Sequence, residues 1–447
     1  MKSRPKKIAI LHHTGGGNLG DDAIMDVVVA NIRHRWPDAE LTAISMNPED
    51  TTRRHGIPAR SIRRHTWGIG YGAAAAAATE VAPRRGLRHW LATTAHPLIR
   101  RPRALLQEFE FLLSCWRCLL PFDLLIVSGG GQLTERSGPW GFPYGIFVWV
   151  SMARLARVRR IFLNVGAGPL KHPLSHFFVV RSLYAANYVS FRDEPSQALA
   201  RSIGFHGRSE VLPDNVYSLE IAPPQLNPIA LDRPLVGLAP MPYPYCDPRE
   251  HAGENMEAVY QEYLGKFALF ASSLVRYSCS LELFGSDAGA DSSAIQDLRT
   301  ILRNRYQIAT PPSEAADSVD ELLSRMAAMD YVVTCRFHGV VLAHILNKPV
   351  LAIAHHPKVT HLMEALGLSQ YCFDIATFDP LRLTDAFVKM VSQSREIKAA
   401  MNATLASYRS RLALQYDQLF PPVNRAGRVP LAPPSPSEAA FAGRPRP

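Results

Sequence analysis

The sequence predicts a two-domain α/β protein with parallel sheets, and three observations predict it. Short apolar runs alternate with helix-like stretches along most of the chain. The runs fall into two sets, separated by a proline-rich break. The carboxyl ends of the runs in both sets collect glycine, arginine, aspartate and histidine. Continuous apolar runs of four or five residues suit strands buried on both faces, and alternation with helices implies parallel pairing. Ligands of such sheets bind outside the carboxyl ends of the strands, so the site is expected in a cleft between the two domains.

The first set comprises Lys7–Leu11, Leu41–Ser45, Leu124–Ser128, Ile161–Val165, Tyr188–Phe191 and Val211–Leu212; the second comprises Leu235–Ala239, Leu281–Phe284, Tyr331–Thr334 and Val350–Ala354. The break runs from Ser218 to Pro234 and holds Pro223, Pro224 and Pro228. The expected domains are therefore 1–222 and 223–420, the second closing with a helix from about Ser394 to Gln418. Beyond Phe420 a proline-rich tail, 421–447, is expected to be disordered. Residues 53–121 fit the alternation poorly and read as an insertion in the first domain.

That insertion also carries the charge. The chain has a formal net charge of +10, and between Arg53 and Arg103 stand eleven arginines against one acid, Glu80. The rest of the chain is balanced. A solvated face is the ordinary meaning of such a segment; peripheral membrane contact is the sharper one, with Trp67, Trp90 and Trp116 nearby as anchors. No recognition motif accompanies the charge, so nucleic acid is not an expected partner. Six cysteines in 447 residues make no disulfide framework. The apolar run after the basic N-terminus stops at His12-His13, too short for a signal peptide, and the stretch from Phe109 to Val127 is broken by Glu110, Arg117 and Asp123. A cytoplasmic protein is expected.

Several strand-end motifs point to chemistry. Gly15-x-Gly17-x-x-Gly20 has the spacing of a dinucleotide fingerprint, but the second strand ends in Ser45-Met46-Asn47 without the acid that holds a ribose, and Asp21 and Asp22 would repel a pyrophosphate. The turn is read either as an acidic helix cap or as a backbone cradle in which Asp21 accepts from a hydroxyl. Gly129-Gly130-Gly131 directly follows a strand and allows either close packing or backbone approach to a ligand. Arg336-Phe337-His338-Gly339 ends a strand and opens a helix. Arg336 with that helix N-terminus makes an anion site, and His338 serves as acid or base near neutral pH; a salt-bridged arginine and a core histidine are the plainer alternative. Arg192-Asp193 is either an ion pair or a second anion contact, and Lys358 adds a third cation. His355-His356 and His12-His13 lack zinc spacing, so no metal is expected. Cys115-x-x-Cys118 lies within a helix, away from the redox position.

In this order the motifs resemble the polysaccharide pyruvyl transferase family: Gly17-Asn18-Leu19-Gly20-Asp21, Gly129-Gly130-Gly131-Gln132-Leu133, Gly166-Ala167-Gly168-Pro169-Leu170, Arg192-Asp193-Glu194-x-Ser196, Pro213-Asp214, Arg336-Phe337-His338-Gly339 and Pro357-Lys358-Val359. The resemblance spans roughly residues 7 to 375. It implies two Rossmann-like domains in a glycosyltransferase-B-like arrangement, phosphoenolpyruvate as co-substrate with no cofactor, and a sugar of a surface polysaccharide or its lipid-linked precursor as acceptor, forming a pyruvyl ketal. It implies donor binding and proton transfer by Arg336 and His338, and donor binding by Arg192. For such a donor, Lys358 and Gly129-Gly130-Gly131 are further candidate contacts, Asn18, Gly20, Asp21 and Glu135 are candidate acceptor contacts, and His338, Arg336 and Asp21 are the candidates for chemistry, with His338 as the acid. Two departures stand out: His355-His356-Pro357-Lys358 where the family often has Tyr-Asp-Pro-Lys, and Glu135 where it often has Asp. A sugar-nucleotide glycosyltransferase of similar architecture and a non-catalytic saccharide-binding protein are the alternatives.

Overall fold

Alternation of strand and helix builds two parallel sheets in the computed structural model, which describes residues 6–64, 102–135, 138–221, 233–245, 253–287, 289–311 and 316–421. Trp67, Trp90 and most of the basic segment, the prolines at 223, 224 and 228, and the tail beyond Pro421 lie outside the described residues. Numbered through those residues, the first half runs β1 (Lys7–Leu11), α1 (Leu19–Arg35), β2 (Glu40–Ser45), α2 (Pro48–His55), β3 (Ala59–Ser61), α3 (Pro102–Leu119), β4 (Leu124–Ser128), α4 (Phe142–Leu155), β5 (Arg159–Val165), α5 (Pro173–Tyr184), β6 (Tyr188–Phe191), α6 (Glu194–Ser202) and β7 (Glu210–Val211). The second runs β8 (Leu235–Ala239), α7 (Met256–Arg276), β9 (Ser280–Leu283), α8 (Asp291–Tyr306), α9 (Val319–Ala328), β10 (Tyr331–Thr334), α10 (Phe337–Ile345), β11 (Val350–Ala354), α11 (Pro357–Ala365), β12 (Cys372–Asp374), α12 (Pro380–Ser392) and α13 (Ser394–Leu419).

The first sheet has the order β3-β2-β1-β4-β5-β6-β7 and the second β12-β11-β10-β8-β9. All pairings are parallel; Ile10, for example, lies opposite Ala43 on one side and Ile126 on the other. Successive residues of β1 serve opposite faces. Ile8 and Ile10 join a core that continues into the second half, while Ala9 and Leu11 join a separate core under α3 and α4. Both faces are dry, which is why these strands read as unbroken apolar runs. The helices start on side-chain caps: Asn18, Asn47, Asp193, Asn255, Ser318 and Asp379 each accept from a first-turn amide.

Two edge strands, β3 and β12, were not expected from the sequence. Each has three residues, too few to show a period. β3 and α3 both lie in the stretch read as an insertion. There β3 forms the sheet edge and α3 buries Cys115 and Leu119 against the sheet, so both are part of the domain. The final helix, α13, returns to the first sheet. Gln415 donates to Asn164, Ser190 and Tyr188 and accepts from Asn164. Arg409 donates to the carbonyls of Tyr217 and Leu219. A buried network with its members satisfied in this way joins the halves in one geometry. Among the described residues no helix is long and apolar enough to cross a membrane.

Candidate active site

The order of each sheet reverses once, between β1 and β4 in the first and between β8 and β10 in the second. Crevices open at such points. His12 follows β1, Gly129-Gly130-Gly131 follows β4 and Arg336-Phe337-His338-Gly339 follows β10, so the sequence motifs stand at both reversals. The two halves meet there. The Leu19 amide donates to the Ser286 carbonyl at 3.0 Å, and Asn18, which caps α1 by accepting from Gly20, pairs with Asp287. Gly20 packs directly on His338: a β-carbon on residue 20 would stand 2.0 Å from Nδ1 of that histidine. Glycine is therefore required at position 20 by the close approach of the two halves.

Asp21, partly buried in the first turn of α1, is pushed up to a pKa of about 7. Burial is the main cause, with Asp22 and Asp287 adding to it and Arg192 and Lys358 opposing. Its Oδ1 and the Nε2 of His12 both lie within 3.3 Å of the point where a β-carbon on Gly130 would stand, so the bare backbone there leaves room between them. Gly129 and Gly130 both have positive φ, and Ile24 and Asn215 press on Gly129. Close packing therefore explains Gly129, though the packing helix is α1 and not the helix that follows. His12 is fully buried with neither ring nitrogen hydrogen-bonded, and burial, His55 and His338 hold its pKa down to about 3.

His338 is buried, and its Nε2 has no hydrogen-bond partner. Burial, then Arg192 and Lys358, hold its pKa well below the usual histidine range. The imidazole is thus neutral in the ligand-free site. The Arg192 guanidinium lies 4.1 Å from the centre of the Phe337 ring, which places a first-half cation against the second-half motif. It also contacts Asp193 and Asp214, each at 3.3 Å. Lys358 sits in the first turn of α11, its amide donating to His356 Nδ1.

Arg336 is held differently. Asp291 accepts from both its Nη2 at 2.5 Å and its Nε at 3.1 Å, and Asp287 stands 3.9 Å away. Its charge is largely matched by these two acids, which the sequence reading passed over. The signal was present: Phe284-Gly285-Ser286-Asp287 is a strand end of the same kind as the others. Glu135 is not brought to the cluster by any contact; its carboxylate accepts from the amides of Lys171 and His172, both at 2.7 Å, and holds the loop before α5. His355 faces the Cys335 carbonyl through Nδ1 at 2.9 Å. Burial raises the Cys115 thiol far above its ordinary range, so the Cys-x-x-Cys pair carries no reactive thiolate. Among the described residues no group of three His, Cys, Asp or Glu side chains is placed to hold a metal ion.

The sequence has no match among curated proteins. In structure the chain is similar to Anabaena HepE in complex with UDP and glucose, at 14% identity and a TM-score of 0.53, covering 93% of this chain and 98% of that one. It is also similar to S. aureus MnaA with UDP, at 13% identity and a TM-score of 0.51, covering 89% and 90%. These likenesses show the fold, two Rossmann-like domains in a glycosyltransferase-B-like arrangement. The model of the polysaccharide pyruvyl transferase family matches residues 18–357, from the cap of α1 to the first residue of α11, and the chain belongs to that family.

Proposed function

We propose that the protein transfers the pyruvyl group of phosphoenolpyruvate to two hydroxyls of a polysaccharide sugar, or of its lipid-linked precursor, and releases phosphate. One observation carries this reading beyond family membership. Arg192 from the first half and Lys358 from the second both act on His338 and Asp21, so one cluster holds two cations, a neutral histidine and a carboxyl that titrates near neutrality. A donor bearing a phosphate and a carboxylate matches the two cations. The amides of Gly129, Gly130 and Gly131 offer further anion contacts.

The reaction needs one proton placed on the donor's methylene carbon. It also needs two taken from sugar hydroxyls, of which one balances the methyl group and one leaves with phosphate. Asp21 and His338 divide these tasks by their environments. With its pKa pushed up to about 7, Asp21 is able to hold a proton near neutral pH, and the donor's negative charge favours the protonated form. Asp21 protonates the methylene carbon, making C2 electrophilic. The unpartnered Nε2 of neutral His338 accepts a hydroxyl proton as the sugar oxygen adds to C2. This departs from the expectation of His338 as the acid, because burial and the charges of Arg192 and Lys358 all disfavour its charged form. Arg336, matched by Asp291 and Asp287, positions the start of α10, whose first turn carries His338.

The test is donor choice. Label from the pyruvyl carbons of phosphoenolpyruvate is expected to enter a saccharide acceptor with release of an equal amount of phosphate. Transfer from a nucleotide sugar, with none from phosphoenolpyruvate, selects the glycosyltransferase alternative, and saccharide binding without phosphate release selects a binding protein. Loss of the high-pH limb of kcat/KM in Asp21→Asn supports Asp21 as the acid; its persistence there and loss in His338→Gln returns that role to His338.

A further inference from the structure

Helix α3 is apolar on two sides, and among the described residues one side is buried in the core while the other stays partly exposed. Cys115 and Leu119 are buried against the first sheet, with Phe111, Leu112 and Cys118 beside them. A second row, Leu105, Phe109, Leu113 and Trp116, is spaced by three or four residues and so lies along one side of the helix, with Leu120 just past its end. In this row Leu105 is 53% exposed and Phe109 59%; Leu120 is 52% exposed and Leu106, beside the row, 66%. With Leu120 the row spans about 22 Å.

Basic residues border it. Arg117 is exposed on the next lane of the helix, and Arg60, exposed at the β3 edge, shares a recess with Glu110, Ser114 and Arg117. Arg64, also exposed, donates to Gln107 on the far side of the helix and so stands away from the row. Glu110 is the one exposed acid along this stretch of helix, since Glu108 is buried. In the sequence the helix also follows directly on the segment with eleven arginines and one acid.

We propose that this face of α3 docks on an anionic lipid bilayer, with the apolar row in the acyl boundary and Arg60 and Arg117 at the headgroups. An apolar stripe beside a strongly basic border is the pattern of a helix lying in the membrane interface. The four exposed side chains offer on the order of 400 Å², about half of what each partner contributes to a stable protein interface. A second copy or a protein partner is therefore the poorer fit. The proposal is independent of the donor chemistry. It agrees with a lipid-linked acceptor, which a docked enzyme meets at the surface.

Cosedimentation of the full-length protein with vesicles tests it. Binding is expected to vesicles of phosphatidylcholine mixed with phosphatidylglycerol, much less to phosphatidylcholine alone, and to weaken as salt rises. Leu106→Asp with Phe109→Asp is expected to weaken binding on the order of a hundredfold while leaving the melting temperature unchanged, because both side chains face outward. Arg60→Gln and Arg117→Gln are each expected to cost roughly fivefold on the anionic vesicles. The proposal fails if the wild-type protein does not sediment with the anionic vesicles. It also fails if binding survives the two aspartates, or if those aspartates instead abolish a dimer seen in analytical ultracentrifugation.

Discussion

Arg192 and Arg336 both follow a buried strand and both lie at the junction of the two halves, yet they stand in different electrostatic positions. Arg336 is gripped through two of its nitrogens by Asp291, a residue with no solvent exposure, and has Asp287 close by. Arg192 meets Asp193 and Asp214 only at 3.3 Å and rests the face of its guanidinium on Phe337. The outward effect differs accordingly. Arg192, with Lys358, depresses His338 and opposes the rise of Asp21, while the influence of Arg336 falls on Asp291 and His355. Two arginines that look equivalent in sequence thus divide into one that shapes the wall and one whose field reaches His338 and Asp21.

Removing each arginine separates these parts most widely. Arg336→Ala leaves Asp291 buried without its cation and is expected to destabilise the fold by about 3–5 kcal/mol in denaturant unfolding. Arg336→Met with Asp291→Leu is expected to recover most of that loss, since an apolar pair of similar volume replaces a buried ion pair at little cost. The double variant should still bind phosphoenolpyruvate as the wild type does. Arg192→Ala, by contrast, is expected to weaken the donor by roughly tenfold to a hundredfold in calorimetry. Equal loss of donor affinity in the two cases erases the distinction.

Gly20→Ala sharpens the comparison from the other side of the junction. The added methyl group has to displace His338, since it would otherwise stand 2.0 Å from Nδ1. A fall in kcat of about a hundredfold is expected from misplacing a reacting group. Donor affinity should hold, because Arg192 and Lys358 lie on other elements. A drop in affinity as large as the drop in kcat makes position 20 part of donor binding.

Much of this arrangement was legible in the residues. β1, β4, β6, β8, β10 and β11 have the predicted bounds, because strands dry on both faces leave unbroken apolar runs. The strand-end motifs were legible as a group, and the fold brings Gly20, Gly130, Arg192 and His338 to the junction of the two halves. What stayed hidden depends on partners distant in sequence. Nothing near Arg336 shows that Asp291, forty-five positions earlier, takes up its charge. Nothing near Gly20 shows that its missing side chain serves His338. Glu135 looked like an acceptor contact because it follows the glycines, and only the folded loop reveals that it holds the amides of Lys171 and His172.

The pH response of Asp21 is the next smaller effect. Its pKa rises on folding from 3.8 to about 7, so its contribution to stability is full below about pH 4 and is lost as pH climbs through 7. Asp21→Asn removes that loss. The variant is expected to be more stable than the wild type at alkaline pH and to keep only a small residual activity, the pattern of a group kept for chemistry at a cost in stability. Unfolding curves across the pH range check this. A destabilised Asp21→Asn at high pH means that the charged carboxylate has a structural partner.

His55 moves in the same direction for a different reason, and that separates the junction from the ground behind it. Burial disfavours its charge, but the hydrogen bonds and charges of Asp22 and Asp26 prevail and raise its pKa from 6.5 to about 9. The ring bridges α2 to α1, with Nδ1 2.7 Å from Asp26 and Nε2 3.5 Å from Asp22. Its contribution is therefore full below pH 6.5 and fades as pH rises through about 9. His55→Gln is expected to cost roughly 2 kcal/mol near pH 6 and much less near pH 10. The two titrations stay distinguishable: Asp21→Asn flattens the stability curve between about pH 4 and 7, and His55→Gln flattens it between 6.5 and about 9. If one variant flattens both windows, the carboxylates of α1 titrate as a single unit, and the cluster around Asp21 then reaches back to His55 on α2.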